Sequence, residues 1–214
     1  MVQRHVAGRG ITDRRVVAAM NRVRRDRFVA PAMAEFAYED RPLPIDAEQT
    51  ISQPYIVAVM AAAAEIEPKD RVLEIGTGSG YGAAVLGCLA EEVWTVERHH
   101  VLVVKARIRL AAEGFSNVHV VEGDGSLGWP DAAPFDAILV TANAPSVPPA
   151  LCDQLADGGR LVLPIGPQRA SQELARIRRS GDRITTEDLG SVRFVPLVGE
   201  EGWPLDPLLI AESP

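Results

Sequence analysis

The sequence contains no apolar run long enough to cross a membrane, and residues 1–10 lack the apolar stretch of a secretory signal. A membrane-spanning helix needs about 20 mostly apolar residues, so no membrane segment is predicted. We therefore expect a cytoplasmic protein that does not have a membrane as a partner.

Cysteine is scarce and histidine shows no metal-binding pattern. Cys88 and Cys152 are the only cysteines, and both fall beside apolar residues in helical patterns, which favours buried thiols over a disulfide or a nucleophile. The four histidines have no ligand spacing with cysteine or carboxylates. They are His5, His99, His100 and His119. No metal site is predicted.

Clustered positive charge is also missing. The net charge is −7 and the sequence pI is about 5.2, which argues against nucleic acid as a partner because phosphate binding needs clustered Lys and Arg. Basic residues exceed acidic ones only up to Arg41, and all of them there are Arg. An Arg-rich segment of this kind is typical of a solvated helix face.

A length of 214 residues predicts one α/β domain with a sizeable core. Within it we expect a mobile segment (1–10), N-terminal helices that form a lid and carry a substrate loop (11–66), a cofactor-binding sheet (67–200) and a tail (201–214). Thr12 is predicted to cap the first helix.

The stretch Arg71–Ala84, RVLEIGTGSGYGAA, has the pattern of a strand, a tight glycine turn and a helix. Glycines at alternate positions allow positive φ and leave no Cβ, so the backbone can approach a ligand at the start of a helix. The stretch therefore predicts a cofactor site, although glycines of this kind can also serve only to make a tight turn.

Two classes of cofactor fit this turn. The spacing Gly78-x-Gly80-x-x-Ala83 matches a loose dinucleotide fingerprint. With Glu74 included, the spacing E-x-G-x-G-x-G resembles the first motif of S-adenosylmethionine-dependent methyltransferases, and an acid suits a cationic ligand better than a phosphate. Glu97, at the end of the next strand, supports an adenosyl ligand without choosing between the two.

The segment before the glycine turn combines hydroxyl side chains with a helix start. Pro54 occupies a favoured first helical position, and residues 55–66 are apolar almost all round, as in a buried helix. Thr50 and Ser52 are therefore predicted near the helix N-terminus. Ser52 could be an N-cap, or both hydroxyls could receive an anionic substrate group.

Further apolar runs predict the remaining strands of a doubly wound, mostly parallel sheet. These runs are Val118–Val121, Pro134–Val140, Arg160–Ile165, Glu173–Arg178 and Ser191–Leu197. Gly158–Gly159 is predicted as a turn. The loop Thr141–Pro145 is expected to line the wall of the ligand pocket. In such a fold the ligand crevice lies at the carboxyl ends of the strands.

The sequence resembles the protein-L-isoaspartate (D-aspartate) O-methyltransferase family from about Arg27 to Glu200. The runs that carry the resemblance are RFVAPAMAEFAYEDRPLPI, QTISQPYIVAVM, VLEIGTGSGYGAAVL, GDGSLGWPDAAPFDAILVTANAP and RFVPLVGE. The resemblance implies a seven-stranded, Rossmann-like methyltransferase sheet with an N-terminal helical lid.

The resemblance also implies roles for individual residues. Ser52 is implied to be catalytic, with Thr50, Ile51, Gln53 and Val195 binding the substrate. Asp124 is implied to accept from the adenine amine. The implied cofactor-binding residues are Glu74, Gly76, Thr77, Gly78, Ser79, Gly80, Glu97, Arg98, Gly123 and Asp124.

The implied reaction is repair of damaged proteins. S-adenosylmethionine methylates the α-carboxylate of an L-isoaspartyl residue, leaving S-adenosylhomocysteine, and the ester then closes to a succinimide as methanol leaves. A carboxylate is already ionised at neutral pH and needs no general base. The sequence shows no motif that places a His-Asp pair or a Lys for proton abstraction. The partners are peptides with isoaspartyl residues, and we expect a monomer.

Three departures from the family pattern keep alternatives open. Asp46-Ala47-Glu48 replaces the usual glycines and aromatic residue or His, Gly82 replaces a larger polar residue, and Asn143 stands where Ala is common. One alternative is a carboxyl methyltransferase that modifies aspartate in a dedicated peptide. The other is a non-catalytic adenosyl-binding module.

Overall fold

The computed structural model describes residues 1–168 and 170–205. The helices are α1 (Val2–His5), α2 (Arg14–Arg22), α3 (Pro54–Ala63), α4 (Tyr81–Gly87), α5 (His100–Ala112) and α6 (Pro149–Asp153). The strands are β1 (Leu43–Pro44), β2 (Thr50–Ile51), β3 (Arg71–Ile75), β4 (Glu92–Glu97), β5 (Val118–Glu122), β6 (Phe135–Val140), β7 (Leu155–Ile165), β8 (Gln172–Ser180) and β9 (Arg183–Val192).

Seven of these strands form one sheet in the order β5-β4-β3-β6-β7-β8-β9. The pairs from β5 to β7 are parallel, whereas β7 with β8 and β8 with β9 are antiparallel. The chain order reverses beside β3, where β4 lies on one side and β6 on the other. This arrangement confirms the predicted doubly wound, mostly parallel fold, and a ligand crevice is expected at the reversal.

The sheet separates two hydrophobic cores. Val72 of β3 packs with the N-terminal segment and with α3, α4 and α5 on one face. Leu73 and Ile75 pack on the other face with residues around α6. Because alternate side chains of a strand point to opposite faces, the apolar residues of β3 supply both cores.

The first ten residues are folded, contrary to the predicted mobile segment. They form α1 and a 3₁₀ turn, and Val2 and Val6 are buried in the core beside the sheet. The cap of α2 also differs from the prediction, because Asp13, not Thr12, accepts from the backbone N–H of Arg15 at 2.8 Å. Two valines four residues apart, both turned inward, are the apolar signal that fixes this segment.

The last strand lies earlier than predicted. Residues 183–192 form β9, whereas most of Ser191–Leu197 is not a strand. β9 is an edge strand with mostly exposed side chains, so it has no apolar alternation in its sequence. Residues 194–197 are apolar, and they cross the carboxyl edge of the sheet. There the Val195 carbonyl accepts from Asn143 N, and Leu197 N donates to the Asn143 carbonyl, both at 2.7 Å.

The other differences concern turns and the tail. Gly158–Gly159, predicted as a turn, lie within β7. Trp203 packs back onto the body, donating its backbone N–H to the Leu197 carbonyl at 2.7 Å. The predicted tail lies outside the described residues from 206 onward. Among the helices of the described part, none combines the length and apolar character needed to cross a membrane.

Candidate active site

One large cavity opens at the carboxyl ends of the parallel strands. Its volume is about 1380 Å³, and it is lined by the substrate loop before α3, the glycine turn after β3, the end of β4, the loop after β6 and residues 191–198. Pockets for one small ligand occupy roughly 300–1,000 Å³. The cavity therefore has room for a cofactor together with part of a second molecule.

The glycine turn has the backbone that its sequence predicts. Gly76, Gly78 and Gly80 all have positive φ, at 96°, 54° and 90°. A Cβ on Gly76 would collide with the Thr141 hydroxyl, which donates to the Gly76 carbonyl at 2.8 Å. Gly76 therefore cannot be replaced by a residue with a Cβ without moving Thr141, and the backbone of the turn lies at the cavity wall.

Glu97 is buried and organises the glycine turn from the next strand. One carboxylate oxygen accepts from Gly78 N and the other from His99 N, both at 2.9 Å. A carboxylate has about four lone-pair sites, so two remain for a ligand. Glu97 is therefore placed to accept hydroxyl groups without losing the bonds that hold the turn.

Glu74 lies at the end of β3 in a buried chain of hydroxyl groups. Thr95 donates to its carboxylate at 2.6 Å, and the Thr77 and Thr95 hydroxyls are 2.7 Å apart. Burial raises the pKa of Glu74 to about 8, with the nearby charge of Glu97 acting in the same direction. Gly82 makes room for this side chain, since a Cβ there would collide with Glu74 Oε1.

The substrate loop, which contains Thr50, Ser52 and Gln53, pairs with β1 through β2 and leads into α3. Gln53, not Ser52, occupies the N-cap position, and its side chain makes no capping bond. Instead, Asp40 caps the helix from outside by accepting from Tyr55 N at 3.0 Å, and it also accepts from Gln53 Nε2 at 3.0 Å. The N-cap alternative for Ser52 is wrong, and Gln53 supports the loop.

The Ser52 side chain is half-buried and lines the cavity. Among the described residues no hydrogen bond engages its hydroxyl, so the hydroxyl is available to a ligand. Its carbonyl accepts from the Arg25 guanidinium at 2.8 Å. Thr50 and Ile51 line the same cavity and pair with β1.

Asp124 is held in an Asx-type turn. Burial opposes ionisation, but bonds from Glu200 N and from the hydroxyl and backbone N–H of Ser126 hold the pKa of Asp124 below its ordinary value. With Gly123 and Arg98, Asp124 lines a smaller cavity of about 480 Å³. Arg98 also lines the large cavity, so the two adjoin, but Gly123 and Asp124 do not reach the large cavity directly.

The other predicted site residues line the large cavity, with one exception. Those present in its wall include Thr50, Ile51, Ser52, Gln53, Glu74, Gly76, Thr77, Gly78, Ser79, Glu97, Arg98 and Val195. The exception is Gly80, which is the N-cap residue of α4. Of the loop Thr141–Pro145, only Thr141 and Ala142 reach the wall.

The two acids of the unusual segment Asp46-Ala47-Glu48 have different environments. Asp46 pairs with Lys105 of α5 at 2.5 Å, and this bond holds the pKa of Asp46 below its ordinary value. Glu48 is exposed and lines the large cavity. Ala47 and Glu48 both have φ of 56°, a left-handed conformation that non-glycine residues seldom adopt.

Several residues that shape the site were not predicted from the sequence. Arg25 and Asp40 hold the substrate loop, Thr95 bonds Glu74, and Gly125 lines the cavity. The Thr95 hydroxyl, placed inward on a buried strand, was a signal that could have revealed its partner. Arg25 gave no such signal, because it lies in a segment crowded with arginines. Within the part of the chain that is described, no group of three or more His, Cys, Asp or Glu side chains could hold a metal ion.

Comparison with known proteins identifies the family. A family model described as protein-L-isoaspartate (D-aspartate) O-methyltransferase matches residues 1–202. The chain belongs to this family. The match covers both the glycine turn and the substrate loop, and it begins in the folded N-terminal segment.

Relatives of similar length carry the family name. A protein-L-isoaspartate O-methyltransferase of Protochlamydia amoebophila is 56% identical over 204 residues, which cover 95% of this chain and 97% of that protein. Protein-L-isoaspartate O-methyltransferase 2 of Pelobacter propionicus is 57% identical, with 95% of this chain and 91% of that protein covered.

Solved structures give the same result. A protein-L-isoaspartate O-methyltransferase structure superposes with a TM-score of 0.84 at 28% identity, covering 94% of this chain and 67% of that chain. A candidate protein-L-isoaspartate O-methyltransferase of Plasmodium falciparum, in complex with S-adenosyl-L-homocysteine, has a TM-score of 0.79 at 26% identity, with coverage of 91% and 95%.

Proposed function

We propose that this chain methylates the α-carboxylate of L-isoaspartyl residues in damaged proteins, with S-adenosylmethionine as methyl donor. The observation that carries the proposal is the single cavity in which the glycine turn, Glu74 and Glu97 share one space with the free hydroxyl of Ser52. Hydrolysis of the succinimide that follows returns part of the product to normal aspartate.

The cofactor end of the cavity suits S-adenosylmethionine. Glu97 has lone pairs left for the ribose hydroxyls, and Glu74 offers an acid to the cationic amino-acid tail. Thr77 and Ser79 provide the turn around that tail, and Arg98 borders the adenine side together with Gly123 and Asp124. The cofactor supplies the methyl group, while these residues fix its position.

The substrate end suits an ionised carboxylate. Methyl transfer is an in-line displacement, so the acceptor must be held close to the methyl group and aligned with the departing sulfur. The Ser52 hydroxyl donates to one carboxylate oxygen and leaves the other free to attack, and Thr50 lies beside it on β2. No general base is needed, because the acceptor carries its charge already.

The peptide runs in an extended form along residues 193–197. The Val195 carbonyl is occupied by Asn143 N, and Phe194 N donates to Gln172 Oε1, both at 2.7 Å. The Val195 N–H has no partner among the described residues, so it is the group through which this segment pairs with the peptide backbone.

The test is methyl transfer from labelled S-adenosylmethionine to two matched peptides, one with L-isoaspartate and one with aspartate at the same position. Transfer to the isoaspartyl peptide alone supports the proposal. Transfer to neither, with cofactor bound, would favour a carboxyl methyltransferase with a dedicated peptide. Failure to bind S-adenosylmethionine would instead support a non-catalytic interaction module, and competition by NAD would point to a dinucleotide.

We further propose that the chain acts as a cytoplasmic monomer, without a nucleic acid or membrane partner, and that residues 1–214 form one domain. Both cysteines are unpaired thiols, as a reducing compartment would keep them. Sedimentation velocity at several concentrations, with and without peptide, tests the monomer. A single species that melts in one transition supports the single domain.

A further inference from the structure

Arg25 is a fully buried arginine beneath the substrate loop. Its relative exposure is 0%, and its guanidinium donates to three backbone carbonyls. They are Ala37 at 2.8 Å, Ser52 at 2.8 Å and Arg41 at 3.3 Å. The fork of N–H groups therefore joins the segment before β1 to the residue that carries the free hydroxyl.

The charge of Arg25 has no direct counter-ion among the described residues. The face of the Tyr81 ring lies 5.1 Å from its guanidinium carbon. The nearby carboxylate, Asp40, accepts instead from Arg9 at 3.0 Å and from the start of α3. Burial lowers the pKa of Arg25 to about 10, so the side chain stays protonated at neutral pH.

Arg25 is thus the buried cation beneath Ser52 that lacks a paired carboxylate among the described residues. Asp40 is paired with Arg9, and Asp46 of the neighbouring segment is paired with Lys105. An uncompensated buried charge is unfavourable, and an incoming anion relieves it. A substrate carboxylate supplies that anion, whereas the methyl ester formed from it is neutral.

We propose that Arg25 is a positioning residue of this site, which fixes Ser52 through its carbonyl and makes the loop bind an ionised carboxylate in preference to its neutral ester. The inference rests on the proposed function and adds to it a means of product release. When methylation converts the carboxylate to a neutral ester, the attraction between the peptide and the buried charge of Arg25 is lost, so the loop binds the product more weakly than the substrate.

The test compares Arg25→Met and Arg25→Lys with the unaltered protein. For each, methyl transfer to an isoaspartyl peptide gives kcat and KM, and the same peptide with an α-carboxamide gives the inhibition constant of a stable neutral analogue. We expect the unaltered protein to favour the carboxylate, and Arg25→Met to lose about tenfold or more of that preference while binding S-adenosylmethionine normally. Arg25→Lys should keep most of the preference but lower kcat, because a compact ammonium lacks the planar fork with which the guanidinium reaches three separate carbonyls.

Arg160→Met is the matched control. Arg160 is also largely buried and donates to the carbonyls of Ala64 and Asp136, but these partners are not part of the substrate loop. It should lower stability and leave the carboxylate preference unchanged. If Arg25→Met behaves in the same way, the role is only structural and the inference is overturned.

Two results with the unaltered protein separate this inference from the proposed function. If it transfers methyl groups to the isoaspartyl peptide but binds the carboxamide equally well, there is no charge preference and the role of Arg25 is refuted, even if Arg25→Met fails to fold. If it transfers none, the proposed function fails first, and this inference fails with it.

Discussion

Ser52 and Glu97 line the same cavity but differ in what holds them. The Ser52 hydroxyl has no bond among the described residues, so Ser52→Ala should change the free energy of unfolding by less than about 0.5 kcal/mol. Turnover should fall roughly tenfold or more, since the carboxylate loses its orienting donor. Urea unfolding and steady-state kinetics measure both effects. A loss of about 1 kcal/mol with unchanged kcat would instead indicate a capping role.

Glu97 should show the reverse behaviour. Glu97→Ala removes the acceptor of Gly78 N and His99 N together with the acceptor proposed for the ribose. We expect the dissociation constant of S-adenosylmethionine to rise at least about tenfold, with kcat at saturating cofactor much less affected. Isothermal titration calorimetry measures the affinity, and Glu97→Gln serves as the control that keeps the shape. Equal cofactor affinity in Glu97→Ala and Ser52→Ala would refute the assigned roles.

Glu74 should make the stability of the cofactor-free protein depend on pH. Its folded pKa, about 8, exceeds its ordinary value of 4.5. The folded state therefore holds a proton that the unfolded state loses. The contribution of this proton to the free energy of unfolding is complete below pH 4.5 and is lost as the pH rises to about 8.

Urea unfolding of the unaltered protein and of Glu74→Gln at several pH values measures this effect. As the pH rises through this window, the free energy of unfolding of the unaltered protein should fall relative to that of Glu74→Gln. A constant difference would show that Glu74 is ionised throughout. Because a cationic cofactor favours the carboxylate, its binding at pH 7 should also release a proton, which calorimetry in buffers of different ionisation enthalpy detects.

The sequence predicts those site residues that belong to a local motif, but not those that act on the site from a distant part of the chain. Glu74 and Glu97 follow from their positions at strand ends beside the glycine turn, and both line the cavity. Arg25 and Asp40 act on Ser52 and α3 from far along the chain, and no spacing in the sequence brings these parts together.

At the scale of elements, the segment between β1 and β2 combines backbone strain with an acid that faces the cavity. Glu48 has φ of 56°, which costs a non-glycine residue about 1 kcal/mol. Glu48→Gly should therefore raise the free energy of unfolding by up to about 1 kcal/mol. Both Glu48→Gly and Glu48→Gln should lower KM for isoaspartyl peptides with acidic neighbours.

Glu48→Gln separates the two effects, because it removes the charge and keeps the strain. Chemical unfolding and KM values for peptides with acidic or basic neighbours provide the measurement. If Glu48→Gln leaves the peptide preference unchanged, the carboxylate points away from the substrate.

The elements that the sequence predicts well are the buried ones. β3, β4 and β6 are mostly apolar because both of their faces are covered, and the predicted start of β6 agrees with the structure within one residue. β9 was misplaced because an edge strand with exposed faces has the sequence pattern of a polar loop, whereas the apolar residues 194–197 line the cavity without forming a strand.

At the scale of the whole molecule, the N-terminal segment supports the substrate loop. Removing residues 1–10 deletes the buried side chains of Val2 and Val6 and exposes the core surface that they cover. This should lower the free energy of unfolding by roughly 3 kcal/mol. It also removes Arg9 from Asp40, so KM for the peptide should rise while the affinity for cofactor stays the same.

Arg9→Ala is the control for this truncation, since it removes the ion pair and keeps the buried valines. Thermal unfolding and peptide kinetics of both proteins give the comparison. A truncated protein as stable as the full chain would mean that the segment does not contribute to the core.

The cofactor site and the peptide cleft are built from different parts of the chain, and this has a consequence for biosynthesis. The proposed cofactor site uses residues 74–124, whereas the peptide cleft needs both Ser52 and Val195, and residues 193–197 are joined to Asn143 by backbone bonds. A ribosome synthesises the residues of the cofactor site about seventy residues before it reaches Val195. A nascent chain can thus acquire its donor site while it still lacks the surface that admits another protein, and methylation of neighbouring nascent chains must await release of the last segment.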